Sequence, residues 1–238
     1  MGLHPLARDG FRDVAEAYER GRPEYPSDVV SLLALPGGAR VLDLAAGTGK
    51  LTRRLLEAGL AVVAVEPQPA MRARLPAAAE VLDGTAHAIP LPDASVAAVT
   101  VADAWHWFSD AGDEVARVVR PGGVVALLWQ WPRAQAPEPW ARALGELLRS
   151  LRPEHPAFGA RGVPTLAGHP AFEPMAEHRV PFVHVSDREG VLAYVASISY
   201  VASRPDRDAV LRRVAALVPD GELRQPYETE VWLTRRRG

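Results

Sequence analysis

Apolar residues in this chain come in short uninterrupted runs, separated by amphipathic stretches and by Gly/Pro breaks. The runs Arg40–Leu44 and Leu60–Val65 read as buried strands. Between them, Lys50 to Ala58 places Leu51, Leu55 and Leu56 on one helical face, and Gly59 is its stop. Strand, turn, helix and strand in about 30 residues make a βαβ unit, which closes as a parallel right-handed crossover. Upstream, residues 11–35 hold two short helical patterns broken by Gly21-Arg22-Pro23-Glu24-Tyr25-Pro26. Pro23 and Pro26 exclude a helix interior, so this piece reads as an extended connector. Ser27-Asp28 is expected to cap a short helix through Leu35, which Pro36-Gly37-Gly38 ends.

The alternation continues downstream. Pro69 to Leu75 reads as a short helix, Glu80–Leu82 as a strand, Ser95 to Ala102 as a strand and Gly112 to Val119 as a helix. A tight turn at Pro121-Gly122-Gly123 should precede a fifth strand, Val124 to Trp129. After Trp131 the pattern changes: residues 132–178 are rich in proline and carry one clear helix, Trp140 to Leu151. Val180–Val185 and Thr229–Leu233 look like two final strands, with helices near 189–202 and 206–217 between them. The expected fold is α/β: a Rossmann-like, seven-stranded, mostly parallel sheet with helices on both faces and a small partial cap. The domain reading is one domain over 1–238, with a cofactor-binding core at 36–131 and a connector and partial cap at 132–178.

Composition narrows the chemistry. The 238 residues contain no cysteine, which removes disulfides, thiolate nucleophiles and Cys-based metal sites. The histidines are scattered with no HExxH-type pair, so no metal site is expected. Lys50 is the only lysine. A formal charge of −2 and a pI near 6.4 give no global basic field, so no nucleic-acid partner is expected. No apolar run reaches the ~18 residues of a membrane span. The start of the chain lacks a basic region followed by an apolar stretch. A soluble, cytoplasmic protein is expected; the oligomeric state is open.

The Gly-rich turn Ala45-Ala46-Gly47-Thr48-Gly49 follows the first strand. A dinucleotide fingerprint requires glycine three residues after the second one, where Thr52 stands. Asp43, just ahead of the turn, would repel a pyrophosphate held on helix N–H groups and attract a cation instead. S-adenosylmethionine carries both an ammonium and a sulfonium. Glu66 closes the second strand, where ligands of open α/β sheets sit, and a carboxylate there can accept from both ribose hydroxyls.

These residues carry a resemblance. Val41 to Gly49, Val65-Glu66-Pro67, Gly84-Thr85-Ala86 before Ile89-Pro90, and Arg117 to Gly123 together resemble class I methyltransferases of the ubiquinone-biosynthesis-like (type 11) group, over about residues 11–130. Arg22 to Pro26 and His106-Trp107-Phe108 are similar to a narrower branch that includes trans-aconitate methyltransferase-like proteins. The resemblance implies S-adenosylmethionine as cofactor and assigns roles. Asp43 would hold the methionine amino end, and the backbone of Ala45 and Gly47, with Gly49 after them, would line the methionine moiety. Glu66 would take the ribose. Pro67 and Met71 would pack the adenine, with Thr85 and Ala86 at its edge. Two positions depart from the pattern: the group usually has glycine at Ala45 and often aspartate at Thr85.

On the acceptor side, Asp103, Trp105, His106 and Trp107 follow the fourth strand at its carboxyl end, where the transferable methyl should lie. Asp103 is grouped with the cofactor. Trp105 and His106 are candidates for the acceptor, although both tryptophans can equally be core and His106 a backbone partner. Tyr18, Arg22 and Tyr25, in the segment that folds over the cofactor in similar enzymes, are further acceptor-binding candidates, with Arg22 able to pair a carboxylate. His87 and Asp93 read as turn residues. The reaction expected is methyl transfer to a small molecule, with oxygen (carboxylate or hydroxyl) favoured over nitrogen and carbon. If a hydroxyl must lose its proton, His106 is the candidate catalytic base near neutral pH. The alternative is a cofactor-binding sensor or partner protein without turnover.

Overall fold

The computed structural model describes residues 14–133, 138–153 and 163–238. Strand β1 (Arg40–Leu44) lies between β2 (Ala61–Val65) and β4 (Val96–Ala102), both parallel to it. Its residues Val41 and Leu42 are wholly buried, on opposite faces. Burial of this kind stabilises by roughly 1.5–3 kcal/mol per side chain. β3 (Glu80–Leu82) adds to the far side of β2, and β5 (Val119–Pro132) to the far side of β4, again parallel. β6 (Ala176–Ser186) and β7 (Leu223–Arg235) complete a seven-stranded sheet ordered β3-β2-β1-β4-β5-β7-β6, with β7 antiparallel to both neighbours.

Helices cover both faces. On one face α2 (Asp28–Ser31) and α3 (Lys50–Glu57) pack Val29, Val30, Leu51 and Leu55 against Val41, Ala98 and Val124. On the other, α5 (Gly112–Val118) and the turn of 3-10 helix Trp105–Trp107 pack Val115, Val118, Trp105 and Phe108 against Leu42, Val99 and Leu127. The short helix α4 (Pro69–Arg72) follows β2. A separate apolar cluster joins α6 (Pro139–Leu151), α7 (Arg188–Ala196), α8 (Ser199–Ala202) and α9 (Arg207–Leu217). Of the stretch 132–178, residues 134–137 and 154–162 lie outside the described residues, as does the chain's start at 1–13.

Several elements differ from their sequence pattern, each for a local reason. The helix expected through Leu35 stops at Ser31, and Ser27 sends its hydroxyl to Asp28 instead of capping the backbone. β5 begins at Val119, five residues early. Pro121-Gly122-Gly123 is an outward bulge within it: the register jumps from Val96–Val119 to Ala98–Val124. The bulge is tied down because Gly122 donates its N–H to the Arg236 carbonyl and Arg236 donates back to Gly123. β7 runs well beyond Thr229–Leu233 because ladders on both sides hold polar positions in line. β6 is lengthened by the same pairing with β7. The helix expected over 189–202 breaks at Ser197-Ile198, where Ile198 is extended (φ −72°, ψ 122°). Asp187 starts α7 by accepting from the Gly190 N–H at 2.7 Å.

Near the N-terminal end of the described chain, α1 (Ala15–Gly21) lies directly on α7. A β-carbon on Gly21 would fall 2.0 Å from the Tyr194 backbone nitrogen, so only glycine permits this approach. Arg20 reinforces it from the surface, reaching Glu189 at 2.6 Å and Asp187 at 3.6 Å.

Candidate active site

The turn after β1 is built from left-handed residues. Ala45 has φ +58° and Gly47 φ +58°; Gly49, at φ +88°, opens α3. An alanine in this region carries a strain of about 1–2 kcal/mol. Glycine would adopt this conformation without that strain. Above Gly47 there is room: a β-carbon there would meet only the ring edge of Tyr18, at 3.9 Å.

Two acids bracket this turn differently. Glu66, at the end of β2, is 5% exposed, and its two carboxylate oxygens accept from the backbone N–H groups of Gly47 (2.9 Å) and Gln68 (2.8 Å). Burial raises its pKa while those two N–H donors pull it back. Asp43 lies wholly buried at the end of β1, accepting from the hydroxyls of Thr52 (2.6 Å) and Thr100 (3.2 Å). Burial pushes its carboxyl up to about 6 despite both hydroxyls. Thr52 thus has a positive role: the residue that broke the dinucleotide pattern supplies the hydroxyl that Asp43 needs. Thr100, on β4, was unmarked in the sequence because its partner is 57 positions away.

The predicted adenine residues sit around the end of β2. Pro67 is partly buried. Met71 is 2% exposed, packed on Val14 and Ala15 with Tyr18 beside it. Thr85 bridges to Ala88, and Ala86 is buried in the main core. His87 is hydrogen-bonded to Asp110 at 2.8 Å, and Asp93 pairs with Arg117, so both are held at the surface.

At the carboxyl end of β4, Asp103 has φ +50°. Its carboxylate accepts from the Tyr25 hydroxyl at 2.7 Å and from the Gln130 N–H at 3.1 Å. Burial raises its pKa, opposed first by the Tyr25 bond and then by the Arg22 charge. Tyr25 is raised well above its ordinary value by its own burial and then by Asp103. Arg22 lies between two aromatic faces, 5.1 Å from the Tyr18 ring centroid and 5.0 Å from that of Tyr194. Tyr18 is pushed up to about 12, mainly by burial. Tyr18, Arg22, Tyr25, Ala45, Lys50, Asp103 and Gln130 line one narrow cleft.

The connector over this cleft is fastened at several points. Lys50 pairs with Glu24 at 2.6 Å, Arg53 with Glu19 at 2.8 Å, and Arg54 donates to the Tyr25 carbonyl. The structure therefore brings Tyr18, Arg22, Tyr25 and Asp103 together beside the glycine turn. Trp105 stands apart from them: it is 2% exposed, its ring edge-on to Phe108 and its indole N–H donating to Thr165. His106 packs its ring on Trp107, 4.7 Å between centroids, and lies outside the cleft lining. Residues the sequence did not single out come from the far end of the chain. Tyr194 and Ser197 contact Arg22, and Tyr227 meets the His184 ring edge-on. No local pattern marks them.

A parallel sheet with a reversed seventh strand beside β5, a glycine turn after β1 and acids ending β1 and β2 define a Rossmann-like methyltransferase. The comparisons with known proteins agree. Residues 42–127 match the methyltransferase domain family. An uncharacterized methyltransferase of Mycobacterium tuberculosis is 42% identical over 216 residues, covering 87% of this chain and 85% of its own. A methyltransferase-like protein of Schizosaccharomyces pombe is 30% identical over 87% of this chain and 86% of its own. Among solved structures, one assigned as a type II methyltransferase from Anaeromyxobacter dehalogenans has a TM-score of 0.62 at 23% identity, covering 91% of this chain and 97% of that one. Phosphoethanolamine N-methyltransferase 2 of Haemonchus contortus, solved with S-adenosylhomocysteine, has a TM-score of 0.58 at 14% identity over 98% of this chain and 59% of that one. At such identities these two show the fold alone.

The chain belongs to the methyltransferase domain family and is an S-adenosylmethionine-dependent enzyme. Its own residues fit that cofactor. The space above Gly47 is open, and buried Asp43 and Glu66, with the partly buried Asp103, supply carboxylates around a site that must take a sulfonium and an ammonium. Among the described residues, no helix is long and apolar enough to cross a membrane.

Proposed function

We propose that this enzyme methylates an oxygen of a small-molecule acceptor, a carboxylate foremost. The observation that carries the reading is Arg22. Its guanidinium is partly buried at the cleft and forms no ion pair among the described residues. Asp103 is near enough to be felt, but its oxygens are engaged by Tyr25 and Gln130. A guanidinium in that position matches a carboxylate in charge and shape. The branch resemblance to methyltransferases of small tricarboxylic acids points the same way.

When bound, S-adenosylmethionine supplies an electrophilic methyl on a cationic sulfur. Glu66 would hold the ribose, with Gly47 and Gln68 orienting the carboxylate. Asp43 would balance the cationic methionine end from beneath the turn, and Met71, Pro67, Thr85 and Ala86 would bound the adenine. Tyr18 and Tyr25 would close the cleft against water, while Arg22 aligns the acceptor; such positioning lowers a barrier by several kcal/mol. A carboxylate needs no base. A hydroxyl acceptor would need one, and His106 is the candidate after a side-chain movement into the cleft.

The test is label transfer from methyl-labelled S-adenosylmethionine to a panel of mono-, di- and tricarboxylates, phenols and amines. Product released as a base-labile methyl ester is expected. Label in amines alone would overturn the oxygen reading. Tight cofactor binding with no product across the panel would favour a sensor.

A further inference from the structure

We propose that Ser197, in the break between α7 and α8, is the positioning residue for Arg22, so that the cap helices set acceptor affinity. This rests on the reading that Arg22 holds the acceptor.

Ser197 is wholly buried, and its hydroxyl has a fixed direction. The proton goes to the Tyr194 carbonyl at 2.7 Å, leaving a lone pair that accepts Arg22 Nε–H at 3.0 Å. The Ser197 carbonyl accepts from Nη2 at 3.4 Å. Both groups take the same edge of the guanidinium. No described group accepts from Nη1, and Arg22 lines the cleft. The Tyr18 and Tyr194 rings fix the plane from either side. An arginine held by edge and by both faces has lost its rotamer freedom before any ligand arrives, which is the condition for tight carboxylate capture. The break in the helix is what makes this possible. With Ile198 extended, the chain turns at Ser197 and leaves its carbonyl without a helical partner. Gly21 brings Arg22 within reach by letting α1 lie on the Ala193–Tyr194 backbone.

The experiment uses the full chain with S-adenosylhomocysteine bound. Arginine Nε–H signals are followed by 15N NMR, and steady-state kinetics use whichever panel carboxylate turns over. One exchange-protected Nε–H should vanish in Arg22→Lys. It should lose its protection in Ser197→Ala and keep part of it in Ser197→Cys. Ser197→Ala should raise the acceptor KM roughly tenfold, the order expected for a lost bond to a charged group. Its kcat and S-adenosylhomocysteine affinity should stay within about twofold, and in an Arg22→Ala background the same change should add nothing. An unchanged Nε–H signal in Ser197→Ala overturns the proposal. So does an unchanged acceptor KM where Arg22→Ala raises it, and in that case the acceptor reading stands. If Arg22→Ala leaves KM unchanged, the acceptor reading itself fails and the proposal falls with it.

Discussion

The Tyr25 hydroxyl donates to Asp103 at 2.7 Å, joining the N-terminal connector to the end of β4 across 78 residues of chain. The bond favours ionised Asp103 against its burial. In Tyr25→Phe a partly buried carboxylate loses its shorter hydrogen bond, at a cost of about 1–3 kcal/mol. For a chain of this size that is a melting temperature lower by roughly 2–12 °C. The sign with pH follows from the protonation state. The deficit should be full where Asp103 is ionised and shrink as pH falls through its raised pKa. Thermal unfolding of both proteins over a series of pH values, from about 7.5 down to the acid limit of the fold, checks this; a deficit that stays constant over the whole series would show that the bond does not act on the charged form.

Glu66→Ala should weaken S-adenosylhomocysteine binding by about 30- to 1000-fold, or roughly 2–4 kcal/mol. Two losses combine there. The ribose hydroxyls lose a charged acceptor, and the Gly47 N–H that shapes the turn loses its partner. Glu66→Gln keeps one acceptor oxygen and should fall between. Titration calorimetry on variants with native circular dichroism decides, and full affinity in Glu66→Ala would put the ribose elsewhere.

Asp43 is expected to make cofactor binding depend on pH. Its carboxyl is raised from 3.8 to about 6, so between those values the folded chain binds a proton that the unfolded chain has released. Stability without ligand should therefore decline as pH rises from about 4 to 6, by up to about 3 kcal/mol, and level off above. A cationic ligand prefers the ionised acid, so S-adenosylmethionine affinity should rise from pH 5 to pH 7 with a midpoint near 6. Asp43→Asn should flatten both curves. Affinity that is independent of pH in the wild type would separate Asp43 from the ligand's charge.

Gly21→Ala tests the contact between α1 and α7 without touching a polar group. The added methyl has to displace backbone at Tyr194, a typical overpacking cost of 1–3 kcal/mol. Melting should drop by roughly 2–12 °C. S-adenosylhomocysteine affinity should fall too, because Tyr18 and Met71 belong to the same packed edge. A variant as stable as wild type would mean that α1 rides on α7 loosely.

How much of this was legible depends on how local each signal is. The strands around β1 are apolar runs buried on both faces, and the run itself announces that burial. Asp43, the turn and Glu66 lie within one βαβ step, so their relation follows from strand direction alone. Arg22, Tyr25 and Asp103 were each visible as chemistry, but the Tyr25–Asp103 bond was not, since nothing near either residue encodes it. Ser197 was hidden entirely: its partner is 175 residues away, and a serine near a helix end looks like any other. Trp105 shows the opposite failing. It stands beside Asp103 in sequence, yet a tight turn sends its indole into the core on the other face of the sheet.

The order of the sheet also governs when the protein can come into being. β7 is the last strand in the chain but lies inside the sheet, between β5 and β6. Until residues 223–235 emerge from the ribosome, the 14-residue β5 presents an unpaired edge, and β6 has no neighbour at all. A nascent chain in that state holds the glycine turn and Glu66 but an open strand template, the arrangement most prone to pairing with another chain. β5 and β6 therefore both depend on β7 for their ladders, and a chain lacking residues 223–235 would leave the long edge of β5 open to pairing with another chain.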